Sequence, residues 1–87
     1  MQTINPWTIN NLKAIRHQNG YTQKQVAELL GKDIENRLSF WEAGKAVPSV
    51  LNLFKLCRLY KVTAEDVYPE ILERSSLLNQ RNYIIHK

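Results

Sequence analysis

The chain has 87 residues, with 12 Lys and Arg against eight Asp and Glu and a net charge of +4 at pH 7. Its lone cysteine, Cys57, excludes an internal disulfide, two histidines leave too few ligands for a tetrahedral metal site, and no apolar run approaches the roughly 20 residues of a membrane span. Residues Met1 to Pro6 lack the charged and apolar regions of an export signal, so a single small, reduced cytoplasmic domain without metal or cofactor is expected.

Apolar residues recur at helical spacing between short breaks, and no stretch alternates as a strand would. Ile9, Leu12 and Ile15 form the first stripe, closed by Gly20 as a left-handed cap. Thr22-Gln23-Lys24-Gln25 reads as a capping box opening a second helix through Val26, Ala27, Leu29 and Leu30, with Gly31 at its end. A third helix is predicted over about residues 34–43. Ser49 caps a fourth, the most apolar, which carries Leu51, Leu53, Phe54, Leu56, Cys57 and Leu59 and reads as the central core helix. Thr63 opens a short fifth helix that Pro69 stops. The prediction is an all-α, compact five-helix bundle over residues 1–69. A C-terminal extension, 70–87, could be a terminal helix packing back, a dimer contact or a frayed tail.

Charge is uneven. Residues 1–61 hold nine basic and four acidic residues, the remainder three and four. A basic body suits a polyanionic partner. On the third helix, at about 100° per residue, Asp33, Asn36, Arg37, Phe40 and Gly44 share one face while Ile34, Leu38 and Trp41 share the other. Asn can pair with an adenine edge, Arg with guanine or phosphate, and Phe can touch a thymine methyl. The alternative for Phe40 is that it folds onto its neighbours as ordinary core.

These residues resemble a known family. Leu12, Arg16, Thr22-Gln23, Val26-Ala27, Leu30-Gly31, Leu38-Ser39, Glu42-Ala43-Gly44-Lys45 and Pro48-Ser49 look like the lambda repressor-like, Cro-type (XRE) helix-turn-helix pattern. Leu53, Leu56, Leu59, Val62 and Glu65-Asp66-Val67-Tyr68 fit its last two helices. The resemblance spans residues 12–68. It implies a recognition helix beginning at Glu35, phosphate contacts from Thr22, Gln23 and Lys45, and an ion pair between Arg16 and Glu42. Arg16 as a surface phosphate contact and Lys45 as a solvated loop lysine are the plainer alternatives. The chain departs from the pattern by one extra residue within 32–35, between Gly31 and Leu38.

The resemblance implies a sequence-specific DNA-binding regulator, a repressor on double-stranded DNA acting as a homodimer. The alternative on the same fold is the antitoxin of a toxin–antitoxin pair, with residues 70–87 free to meet a protein partner. No Ser/His/Asp arrangement, paired carboxylates or phosphate loop supports an enzyme, and Cys57 reads as a small buried hydrophobe.

Overall fold

The structure, a computed structural model, describes residues 8–70. Among the described residues there are five helices and no strand: α1 (Leu12–Gln18), α2 (Gln23–Leu30), α3 (Lys32–Glu42), α4 (Val50–Tyr60) and α5 (Ala64–Val67). The expectations for residues 71–87 lie outside the described residues. None of the described helices is long and apolar enough to cross a membrane.

The helix starts follow local chemistry. The Thr22 hydroxyl accepts the Gln25 amide while the Gln25 side chain accepts the Thr22 amide, closing the capping box of α2. Thr63 and Asp66 form the same reciprocal pair on α5, and the Ser49 hydroxyl accepts the Asn52 amide at the start of α4. Gly20, with φ 77°, provides the left-handed residue just after α1.

Three boundaries differ from the sequence expectation. Ile9 precedes α1 and is 43% exposed, so it does not belong to the helical stripe. The helix starts instead where Asn10 Oδ1 accepts the Leu12 amide. The third helix begins at Lys32, two residues before the predicted start and three before Glu35, and ends at Glu42. Gly31 alone joins it to α2, at φ 130° and ψ 148°, a conformation that L side chains avoid. Residues 32–35, where the departure in spacing was expected, are all helical, with Asp33 and Glu35 in a first turn that favours acids.

The fourth helix is not the central one. It buries Asn52, Leu56 and Tyr60 but leaves Val50, Leu51 and Phe54 at 69, 64 and 62% exposed. Its apolar residues surround the axis, and only one side meets the bundle. The core gathers around α3, where Ile34, Leu38 and Trp41 pack with Leu12 and Ile15 of α1, Val26 of α2, Leu56 and Tyr60 of α4, and Val67 and Tyr68.

The two ends of the bundle are joined. The Asn11 main-chain N–H donates to Val67 O at 3.0 Å and its side chain to Asp66 O at 2.9 Å. Next to it, Asn10 Nδ2 donates to Trp41 O at 2.8 Å, holding the last turn of α3 against the start of α1.

Candidate nucleic-acid interface

The outward face of α3 is open. Asn36 and Arg37 are exposed, and neither side chain forms a hydrogen bond or ion pair with the described residues. Phe40 is 51% exposed, so the plainer reading of it as core does not hold. On the opposite side Ile34 and Leu38 are fully buried and Trp41 is 3% exposed. The helix therefore presents an amide, a guanidinium and an aromatic ring together, on an element whose other side is locked into the core.

The groups around this face come from neighbouring segments. Thr22 is exposed, and its hydroxyl oxygen is used as the cap of α2, which leaves the hydroxyl hydrogen available. Of the first amides of α2, Gln25 N–H goes to the Thr22 hydroxyl and Val26 N–H to Thr22 O. The Gln23 and Lys24 amides are the orphan donors every helix start carries, suited to an anion. Lys45 is exposed in the turn after α3, its main-chain N–H held by Phe40 O at 2.9 Å.

Beneath the face lies a buried ionic cluster. Arg16 Nε donates to Glu42 Oε2 at 2.7 Å and Nη2 to Oε1 at 3.1 Å, in the forked geometry of a bidentate pair. The two side chains are 9% and 4% exposed. Hydrogen bonding to Glu42 raises the Arg16 pKa above its ordinary value, against the opposing effect of burial. Arg16 Nη1 also donates to Tyr21 O at 2.9 Å, which ties the α1–α2 turn to the same guanidinium.

Gln23 is placed differently from what the phosphate assignment alone suggests. It is half-buried, and its Nε2 donates to Glu42 Oε1 at 3.0 Å, with one amide hydrogen left over. The sequence carried no signal for this contact, because the partners are 19 positions apart and Gln is common at helix starts. Asn10, which clamps α3 through Trp41 O, was also absent from the sequence reading.

Two tyrosine hydroxyls, Tyr60 and Tyr68, are buried with no hydrogen-bond partner among the described residues. Burial raises both phenol pKa values, that of Tyr68 to about 12. Cys57 is half-buried on α4, and burial pushes its thiol up, away from the thiolate a nucleophile needs.

A helix-turn-helix family model matches residues 12–67, from the first residue of α1 to the last of α5. The chain belongs to the Cro-type (XRE) helix-turn-helix family. Among curated proteins it is 32% identical over 59 residues to the uncharacterized HTH-type transcriptional regulator YgzD of Bacillus subtilis (strain 168), covering 68% of this chain and 88% of that one. No solved structure gives a significant match. Within the family frame, α2 and α3 are the helix-turn-helix pair and α3 is its second helix. DNA binding in transcription regulation is the role that membership supports.

Proposed function

We propose that this protein is a sequence-specific transcriptional repressor that reads the major groove with α3. The observation that carries this reading is the unpaired, exposed Asn36, Arg37 and Phe40 face on a helix whose other side is sealed by Ile34, Leu38 and Trp41. Asn36 and Arg37 meet base edges and Phe40 lies against a thymine methyl. Thr22, the spare Gln23 N–H, the first amides of α2 and Lys45 hold phosphates on either side and fix the docking register. The Arg16–Glu42 pair sets the angle of α3 against α1. Nothing in this scheme requires chemistry: occupancy of a promoter site is the whole action. Two copies on a two-fold site would read half-sites about one helical turn apart.

Selection of bound sequences from random duplexes, with the purified protein near physiological salt, tests the reading. An enriched inverted repeat supports it. Binding that shows no enrichment and vanishes as salt rises would overturn sequence-specific recognition by the chain alone and turn attention to the antitoxin alternative.

A further inference from the structure

A second exposed apolar surface runs from the α3–α4 loop onto α4. Val47 is 47% exposed, and Val50, Leu51 and Phe54 are more so. At about 100° per residue the last three fall within one side of the helix, and Arg58 and Lys61 continue that side toward the C-terminus. The face is thus apolar at its N-terminal half and cationic at its C-terminal half, and α4 carries no carboxylate. Contiguous apolar surface of this kind marks a contact.

We propose that the occupant is the chain's own C-terminal segment, residues 71–85, lying back along α4. Three observations select it. After α5 breaks at Tyr68, the backbone is helical again at Pro69 and Glu70, with proline in the first-turn position it suits, so the described chain ends as a helix begins. Beyond that point Ile71, Leu78 and Ile85 recur every seventh residue, as do Leu77 and Ile84, which would line one side of a helix with aliphatic groups. Finally, Glu73 precedes the aliphatic pairs Leu77-Leu78 and Ile84-Ile85, the reverse of the order on α4, where the apolar residues come before Arg58 and Lys61. An antiparallel path sets Glu73 near Arg58 and Leu77 near Phe54, since both pairs of positions are four residues, about 6 Å, apart along their helices.

Length is sufficient: the 17 residues after Glu70 reach about 25 Å as a helix, against about 16 Å for α4. A second copy on this face suits it less well. Set antiparallel, it would lay the apolar half of one α4 against Arg58 and Lys61 of the other, and a patch of four side chains falls short of the roughly 800 Å² per partner of a stable interface.

The test is a double-mutant cycle in the full chain, with Phe54→Ser and Leu78→Ser read by urea midpoint. Each single change lowers the midpoint, the double change lowers it no further than the worse single, and the wild-type midpoint holds over a wide range of protein concentration. An unchanged midpoint for Phe54→Ser, or losses that add in full, would overturn the proposal. A midpoint rising with concentration would give the face to a second copy, and coupling of Phe54→Ser to Trp7→Ser in place of Leu78→Ser would give it to the N-terminal segment. Either result overturns the assignment to residues 71–85.

Discussion

Gln23 and Arg16 meet on the same oxygen: Gln23 Nε2 donates to Glu42 Oε1 at 3.0 Å and Arg16 Nη2 donates to it at 3.1 Å. One carboxylate at the end of α3 therefore receives both helices that flank it, α1 through the guanidinium and α2 through the amide. A buried carboxylate satisfied in this way fixes three elements at once, and losing either member of the ion pair leaves a charge unpaired in the interior.

Glu42→Gln keeps the shape but strands the Arg16 guanidinium, and about 3 kcal/mol of stability should be lost in urea unfolding. Gln23→Ala removes one hydrogen bond to a charged acceptor, worth about 1.5 kcal/mol. Placed in a Glu42→Leu background, the Gln23 change should cost clearly less than it does alone. Full additivity would mean that the two side chains do not share the contact.

On DNA, the α3 face and the loop should behave differently. Asn36→Ala or Arg37→Ala should weaken binding to the selected site by about 1–3 kcal/mol while leaving random duplex almost unaffected. Lys45→Ala should weaken both alike and reduce the slope of log affinity against log salt by about one. Titrations at several salt concentrations separate the two outcomes.

Phe40 and Leu38 lie two positions apart on α3 and face opposite environments. Truncating the fully buried Leu38 to Ala should destabilise by about 2–5 kcal/mol. Phe40→Ala should change stability by no more than about 0.5 kcal/mol, as for an exposed side chain, and show its effect only on DNA. Thermal melts of the free protein check the pair.

Gly31→Ala should destabilise even though the joint is only partly buried. The added Cβ would sit 2.8 Å from Asp33 Oδ1, a side-chain end that can turn away. The φ of 130° remains strained for any L residue, at a cost of about 1–3 kcal/mol. Adding Asp33→Ser to Gly31→Ala should therefore restore little of the loss, and recovery to wild-type stability would refute the backbone argument.

The buried phenols set an alkaline limit. Burial favours the neutral form, so the folded protein keeps the Tyr68 proton up to about 12, whereas an unfolded chain releases it near 10. The stabilisation is complete below about 10 and declines as pH rises toward 12. Replacing Tyr60 and Tyr68 by Phe should flatten that decline. Each hydroxyl lacks a partner among the described residues, so Tyr68→Phe should also raise stability at pH 7 by up to about 1 kcal/mol. Urea midpoints at pH 7, 10 and 11 decide both points.

Much of this arrangement was legible in the sequence because it rests on local rules. Thr22, Ser49 and Thr63 announced three helix starts through hydroxyl caps, and the three- and four-residue spacing of Ile34, Leu38 and Trp41 separated the inner from the outer side of α3. The start of α3 was not legible, since Gly31 supplies a conformation and not a capping side chain, and an extra residue can extend a helix as readily as a loop. Nor was the orientation of α4. With Val50, Leu51, Leu53, Phe54, Leu56 and Cys57 spread around the axis, periodicity alone cannot say which side is inside. The Gln23–Glu42 bond depends on how two helices cross, and residue spacing does not encode that.

The main-chain bond from Asn11 to Val67, beside the Asn10 clamp on Trp41 O, has a dynamic consequence. Ordinarily the ends of a small domain fray independently of its working surface. In this chain, peeling α5 away releases the start of α1, and a loosened α1 in turn releases the last turn of α3. Hydrogen exchange of those three segments should proceed as one cooperative opening, so that unravelling at either end blunts the helix proposed to meet DNA.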